Sequence, residues 1–197
     1  QGATTGEVDN FLGIPYAAPP TGRRRFLPPQ PVQPWTETRD ATTYGSTPQR
    51  REEDDAIIPE RSVPGADTLN LNVFTPALDG ALPVLVWIHG GGYSSGSPVS
   101  AWYDATAFTR DGVVMVAISY RLGFDGFGVI GGAPDNRGVR DWIAALEWVQ
   151  RNIAAFGGDP GRVTIAGHSA GGGAVLTLLG MPQAQHLFRA GMSSSVS

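Results

Sequence analysis

The chain has 197 residues, of which 41% are hydrophobic and 16% charged, a balance that excludes an intrinsically disordered protein and suffices for one domain with a sizeable core. The formal net charge of −4 gives no electrostatic case for binding nucleic acid. Cysteine is absent, which excludes disulfides and thiolate metal sites, and no apolar run is long enough to span a membrane.

The first third of the chain is rich in proline, which forbids a long helix there. We predict that residues 1–65 are extended chain with short strands, laid over the surface of the domain. The prolines are Pro15, Pro19, Pro20, Pro28, Pro29, Pro31 and Pro34. From residue 69 onward apolar and polar residues alternate, and Leu69, Leu71 and Val73 predict a strand with one buried face.

Beyond residue 80, continuous apolar runs alternate with helical patterns. The runs predict three strands that are buried on both faces, at residues 84–88, 113–119 and 163–166. Short helices are predicted over residues 101–110 and 174–179. A longer helix is predicted from apolar residues that recur every three or four positions: Val139, Trp142, Ile143, Leu146, Val149 and Ile153. This alternation predicts an α/β domain whose parallel sheet is covered by helices on both faces.

Residues 167–171 read Gly-His-Ser-Ala-Gly and match the G-x-S-x-G pattern of a nucleophile elbow. In this sharp turn from strand to helix, the serine adopts a strained conformation that lifts its hydroxyl above the sheet, and the flanking glycines let backbones pack closely. A second match at residues 92–96 contains Ser94, but no helical pattern follows it. Because Ser169 lies between a predicted strand and a predicted helix, we predict Ser169 as the nucleophile and Ser94 as an ordinary loop serine.

A glycine-rich segment, His89-Gly90-Gly91-Gly92, follows the predicted strand at residues 84–88. Glycines allow backbone N–H groups to approach a substrate closely, as the stabilisation of a developing oxyanion requires. The carboxyl ends of strands are where α/β sheets bind ligands, and the nucleophile pattern lies at another such end. We therefore interpret the segment as an oxyanion loop, with a plain flexible loop as the alternative. His89 is expected to hold the loop by hydrogen bonds, and a role in proton transfer is the alternative.

With these motifs in place, the chain resembles the N-terminal part of the type B carboxylesterases, the family that includes the cholinesterases. The resemblance runs through nearly all of the chain, and its specific motifs are the proline-rich opening and the segment around Ser169. They are Phe11-Leu12-Gly13-Ile14-Pro15-Tyr16-Ala17, Pro19-Pro20, Gly22, Arg25-Phe26, Pro28-Pro29, Pro34-Trp35, Phe156-Gly157-Gly158-Asp159-Pro160, Val163, Ile165 and Gly167 to Gly171. Ala66 and Thr68 depart from the usual acidic residue and cysteine, so a loop disulfide found in some relatives is missing.

The resemblance implies an α/β-hydrolase fold, with a mostly parallel sheet, helices on both faces and antiparallel strands at the N-terminus. It also implies that three backbone N–H groups form the oxyanion hole, those of Gly91, Gly92 and Ala170. Four residues would support the site structurally: His89, Gly90, Gly167 and Gly171. Two residues would line the pocket: Tyr93, for which simple aromatic packing is the alternative, and His168, which replaces the acidic residue common before the nucleophile.

The partners of the nucleophile are not evident in the sequence. In this fold the triad follows the order Ser, then Asp or Glu, then His. Residues 170–197 contain no Asp or Glu and a single histidine, His186, which we interpret as a surface residue. The resemblance implies a longer chain, so residues 1–197 are expected to be the N-terminal part of one domain whose missing C-terminal portion supplies the acid and the base. Alone, the chain is expected to be inactive and prone to aggregation.

The function predicted from these features is hydrolysis of small-molecule carboxylic esters by acyl transfer through a serine. A non-catalytic, cholinesterase-like binding or adhesion domain is the alternative, and an inert fragment is a third. An intact nucleophile pattern argues against the binding domain. No cofactor and no metal are expected, because no group of His, Asp and Glu has ligand spacing. The sequence leaves acyl and alcohol preference, oligomeric state and localisation open.

Overall fold

The fold is built on one mixed β-sheet. The computed structural model describes residues 1–48, 58 and 60–196. Within these residues the strands are β1 (Ala3–Thr5), β2 (Val8–Pro15), β3 (Asn70–Thr75), β4 (Leu82–Ile88), β5 (Val114–Ile118), β6 (Gly158–His168) and β7 (Ala190–Ser194). They pair in the order β1-β2-β3-β5-β4-β6-β7. Strands β4 to β7 are parallel, whereas the pairs β1–β2, β2–β3 and β3–β5 are antiparallel, which confirms the predicted mostly parallel sheet with antiparallel N-terminal strands.

Helices cover both faces of this sheet. The described residues form α1 (Thr106–Arg110), α2 (Gly123–Phe127), α3 (Arg137–Asn152) and α4 (Ala170–Leu179). The connection from β4 to β5 carries α1 and crosses the sheet in one direction, whereas the connections that carry α3 and α4 cross it in the other. Because such crossovers are right-handed, opposite directions place α1 on one face and both α3 and α4 on the other. The predicted α/β-hydrolase arrangement is therefore confirmed.

The main core lies between the sheet and helices α3 and α4. Val86 and Ile165 on the central strands are fully buried, as are Leu146 on α3 and Leu178 on α4. Trp142, the largest of the fully buried side chains, packs in the same cluster. The face of α3 that the apolar spacing predicted is therefore the face that contacts the sheet.

The proline-rich start of the chain is extended, as predicted. Its described residues form strands β1 and β2 and one 3-10 turn, Gly22–Arg24, while residues 49–57 and 59 lie outside the described residues. The buried Arg121 ties this segment to the sheet, because its Nη1 donates to the carbonyls of Arg25 and Leu27 at 3.1 and 2.7 Å. The same guanidinium donates from Nε and Nη2 to the carboxylate of Asp141 on α3 at 2.8 and 2.7 Å.

The prediction that β3 has only one buried face is wrong. Asn70 and Asn72, which the alternation assigned to solvent, are 2% and 0% exposed. Their amides are buried because they satisfy backbone groups: Asn70 Nδ2 donates to two carbonyls at 2.8 Å, and Asn72 Oδ1 accepts from the N–H of Gly13 at 2.9 Å. A polar residue in an alternating pattern can thus face a second packed layer when that layer presents unpaired backbone.

Helix α4 begins earlier than the sequence predicts. The helix was expected from residue 174, after a glycine-rich turn, because glycine is a poor helix former. In the structure Ala170 is already helical. The glycines at the start of α4 allow it to approach the strands closely, since a Cβ atom at Gly171 would lie 2.0 Å from the carbonyl oxygen of Ile88. Tertiary packing here outweighs helix propensity.

Candidate active site

Ser169 lies at the junction between β6 and α4, where the chain turns sharply from strand to helix. Its backbone has φ 56° and ψ −123°, a conformation that non-glycine residues rarely adopt. The strained residue is held on both sides, because its N–H donates to the carbonyl of Ser194 at 2.9 Å and its carbonyl accepts from Gly173 at 3.0 Å. The side chain is half-buried. This is the geometry expected of a nucleophile elbow.

The two glycines of the G-x-S-x-G pattern are required by close backbone contacts. A Cβ atom at Gly167 would lie 2.4 Å from the backbone of Gly171. A Cβ atom at Gly171 would in turn collide with the carbonyl of Ile88 on the neighbouring strand β4. Any larger residue would push the elbow open or lift α4 off the sheet.

The glycine-rich loop packs directly against this elbow. It follows β4, which pairs with β6 so that Ile88 lies opposite Gly167. A Cβ atom at Gly90 would lie 2.8 Å from the carbonyl oxygen of His168 and 3.2 Å from Cβ of Ser169. The loop and the serine that the sequence singled out are therefore brought together at the carboxyl ends of two adjacent strands.

Two carbonyls of the loop have hydrogen-bond partners within the loop itself. The Gly90 carbonyl lies 2.8 Å from Nδ1 of His89, and the Gly91 carbonyl accepts from the N–H groups of Ser94 and Ser95 at 3.0 and 2.9 Å. In a trans peptide the carbonyl and the following N–H point in opposite directions. The N–H groups of Gly91 and Gly92 therefore point away from these contacts, and within the described part of the chain they have no acceptor.

Ala170 contributes a further backbone N–H group that has no acceptor within its helix. It is the first residue of α4, and the first N–H groups of a helix have no partner inside the helix. The positive end of the helix dipole lies at the same point. Ala170 itself is buried, so this N–H group lies in a region of restricted water access. The arrangement can therefore stabilise negative charge next to Ser169.

The role of Tyr120 beneath the loop was not predicted from the sequence. Its ring stacks on the ring of His89 with centroids 4.4 Å apart, and its hydroxyl donates to the His89 carbonyl at 2.9 Å. Burial raises the pKa of Tyr120, so the hydroxyl remains a donor. The available signal was a tyrosine directly after a buried strand, where a hydroxyl needs a partner.

Tyr93 and His168 occupy different surroundings. Tyr93 has a left-handed backbone, with φ 60°, and its ring packs 5.0 Å from that of Phe127 and 6.0 Å from that of Trp142. It also lines a shallow cavity of about 470 Å³ with Gly92, Ser94, Gly123, Phe124, Phe127 and Gly128. His168 is the half-buried last residue of β6, opposite Ser194 on β7.

None of the three histidines is hydrogen-bonded to the Ser169 hydroxyl in the described part of the chain. The ring of His89 lies under the loop, with Nδ1 at the Gly90 carbonyl. His186 is exposed and lies beyond the far end of α4, a ten-residue helix that spans about 15 Å.

Across the same described residues there is no cluster of metal-ligating side chains. Nor does any helix within them have both the length and the apolarity needed to cross a bilayer.

Comparison with known proteins gives a consistent family assignment. The sequence profile of the carboxylesterase family matches residues 1–197. The para-nitrobenzyl esterase of Bacillus subtilis is 42% identical over 202 residues, which cover 99% of this chain and 41% of the relative. The fumonisin B1 esterase of Sphingopyxis macrogoltabida is 42% identical over 200 residues, which cover 93% of this chain and 36% of the relative.

Solved structures agree with the sequence relatives. A crystal structure of a Geobacillus stearothermophilus carboxylesterase superimposes with a TM-score of 0.87 at 43% identity, covering 98% of this chain and 41% of that protein. A thermophilic PNB esterase superimposes with a TM-score of 0.91 at 40% identity. The chain thus spans between 36% and 41% of the length of these relatives.

Proposed function

The chain belongs to the carboxylesterase family, and on that premise we propose that it supplies the nucleophile and the oxyanion donors for hydrolysis of small-molecule carboxylic esters. The observation that carries this proposal is the strained backbone of Ser169, at φ 56° and ψ −123°, packed against the glycine loop. Such strain persists only where the surrounding structure enforces it, and it is concentrated at active sites. A non-catalytic binding domain has no need of it.

The reaction is an acyl transfer in two steps. The Ser169 hydroxyl attacks the ester carbonyl while a general base takes its proton. The protonated base then gives this proton to the departing oxygen, so that the alcohol leaves as the acyl-enzyme forms. A water molecule, activated by the same base, then releases the carboxylic acid. In both steps the charge that develops on the carbonyl oxygen is stabilised by the N–H groups of Gly91, Gly92 and Ala170. Each such donor typically contributes about 2.7–4 kcal/mol of transition-state stabilisation.

We further propose that the general base and its acidic partner come from outside the 197 residues. The supporting observation is the placement of the histidines: His89 lies beneath the loop, and His186 is exposed beyond the far end of α4. Without a base, the hydroxyl of Ser169 is only weakly nucleophilic. The chain alone is then limited to the residual acceleration that donors and substrate binding provide.

An active-site label tests both proposals. The chain is prepared alone and as a chimera that continues into the remainder of the Bacillus subtilis para-nitrobenzyl esterase. Each protein is treated with a fluorophosphonate, and the adduct is located by peptide mass spectrometry. We expect rapid labelling of Ser169 in the chimera and little or none in the chain alone. Hydrolysis of p-nitrophenyl acetate should follow the same division.

Matched serine variants make the assignment specific. Ser169→Ala should abolish both labelling and hydrolysis in the chimera. Ser94→Ala, which changes the serine of the other G-x-S-x-G match, should leave both intact. A folded chimera that is labelled elsewhere, or not at all, would contradict the proposed nucleophile and favour a non-catalytic binding role. Rapid labelling of the chain alone would instead contradict the external base.

A further inference from the structure

We propose that Ser95 is a positioning residue. Its hydroxyl donates a hydrogen bond to the Gly91 carbonyl and so fixes the direction of the Gly92 N–H. The catalytic value of that N–H rests on the proposed function, but the contact itself does not. Ser95 belongs to the second G-x-S-x-G match, at residues 92–96, for which the reaction has no nucleophilic use. In our proposal this second motif has a positioning role, in the loop that packs against the elbow at Ser169.

Four donors converge on the carbonyl oxygen of Gly91. They are the backbone N–H groups of Ser94 and Ser95, at 3.0 and 2.9 Å, and the hydroxyls of the same two serines, at 3.3 and 3.1 Å. The turn is tight because Gly91 has φ 110°, and a Cβ atom there would lie 2.3 Å from the carbonyl of Ser95. The peptide between Gly91 and Gly92 is therefore held in place by hydrogen bonds to its carbonyl oxygen.

The two hydroxyls are not equivalent. Ser95 is half-buried and its hydroxyl is the closer of the two, whereas Ser94 is exposed and its hydroxyl can bond to water instead. A hydrogen bond shielded from water contributes more to fixing a geometry than one in competition with solvent. Ser95 is thus the side chain that limits rotation of this peptide.

Rotation of this peptide would carry the donor away from its target. Because the peptide is trans and planar, a turn of the Gly91 carbonyl is matched by an equal turn of the Gly92 N–H. Glycine on both sides offers little steric resistance to such a turn. Transition-state stabilisation depends on the donor being fixed in advance, so loss of the hydroxyl should weaken catalysis without weakening substrate binding.

Nuclear magnetic resonance tests the contact independently of activity. The Gly91 carbonyl carbon and the Gly92 amide nitrogen, labelled with ¹³C and ¹⁵N at glycine, are compared in the wild-type chimera and in its Ser95→Ala, Ser95→Thr and Ser94→Ala variants. Ser95→Ala should move the Gly91 carbonyl resonance upfield and shift the Gly92 amide. Ser95→Thr, which keeps the hydroxyl, should restore both resonances toward wild type, and Ser94→Ala should change them much less. Unchanged resonances in Ser95→Ala, or an equal response in Ser94→Ala, would overturn the proposal.

Kinetics in the chimera test the consequence for catalysis. Ser95→Ala should lower kcat for ester hydrolysis about 5- to 20-fold, well short of the roughly 10²- to 10³-fold loss expected for removing a donor outright. KM and the melting temperature should stay near wild type, which a general loss of structure would not allow. A fall in melting temperature that accounts for the lost rate, or a rise in KM alone, would refute the positioning role. A wild-type chimera without activity would refute the proposed function, whereas the resonance shifts would still decide the contact.

Discussion

Three consecutive glycines at the start of α4 offer a graded test of how the elbow is packed. A methyl group at Gly171 would lie 2.0 Å from the carbonyl oxygen of Ile88, in a strand paired on both sides. One at Gly172 would lie 2.7 Å from the carbonyl oxygen of Ser194, the last residue of β7. Among the described residues, one at Gly173 would clash with the hydroxyl of Tyr93 alone, at 2.5 Å. The three obstacles are thus the backbone of a central strand, the backbone at a strand end and the tip of a side chain.

The distances give an order of expected losses. Ordinary van der Waals contact begins near 3.4 Å, so at Gly171 the helix would have to retreat by about 1.4 Å from β4. That retreat would loosen the buried side chains of Val175 and Leu178. We expect Gly171→Ala to lower the free energy of unfolding by about 3 kcal/mol or more, even after a helix-propensity gain of about 1 kcal/mol. Gly172→Ala should cost about 1–2 kcal/mol, because the backbone at the end of a strand can shift.

Gly173→Ala is the matched control in the same helix. Its methyl group meets a side-chain end that can turn aside, and it gains the same helix propensity, so stability should stay within about 1 kcal/mol of wild type. Urea unfolding of the chimera, followed by circular dichroism, measures all three variants, with equal slopes required for comparison. A Gly171→Ala variant as stable as wild type, or a Gly173→Ala variant that loses as much stability as Gly171→Ala, would refute the inference that elbow glycines are fixed by backbone contact.

Further predictions concern buried charge and proton uptake. Asp141→Asn should cost about 3–5 kcal/mol because it leaves the buried guanidinium of Arg121 uncompensated, whereas replacing both by apolar residues should recover much of the loss in urea unfolding. Burial raises the pKa of every tyrosine in the chain, so the folded state keeps protons that the unfolded state releases near pH 10, and stability should fall as pH rises above 10. Absorbance at 295 nm should accordingly rise at a higher pH than for free tyrosine, and the part contributed by the buried Tyr16 and Tyr120 should appear only with unfolding. Ionisation of all five tyrosines near pH 10 in the folded protein would contradict the burial of these hydroxyls. His186→Ala should leave phosphonylation of the nucleophile in the chimera unchanged, and a marked loss would reinstate it as a candidate base.

The sequence was most informative where a local rule and the fold act together. The continuous apolar runs gave β4, β5 and the central part of β6 because strands buried on both faces need apolar residues at every position. The spacing along α3 identified its buried face for the same reason. The elbow was predictable because its glycines and its serine are adjacent in the chain, so that one short pattern contains the whole turn.

Other features depended on contacts between distant parts of the chain. Arg137 is charged, yet it is fully buried and donates to the carbonyls of Phe124, Asp125, Gly128 and Pro134. This arrangement holds the loop that contains α2, a short helix with two glycines that propensity did not predict. Asn70 and Asn72 were misassigned to solvent for the same reason, because their partners lie in segments that no local pattern connects to β3.

Contacts between adjacent backbone segments place the loop that carries the candidate donors against the candidate nucleophile. Ile88 lies opposite Gly167 in the paired strands. The close contact between Gly171 and the Ile88 carbonyl fixes α4 against β4, and Gly90 packs against Ser169 itself. The groups that transfer protons reach Ser169 through their side chains, so they can come from a different part of the protein. Stabilisation of the oxyanion and activation of the hydroxyl are thus separable contributions, and removing a triad leaves a residual acceleration of about 10³- to 10⁴-fold in a well-studied serine protease. The difference in rate between the chimera and a chimera whose general base is replaced by alanine therefore measures the second contribution, while Ser95→Ala measures part of the first.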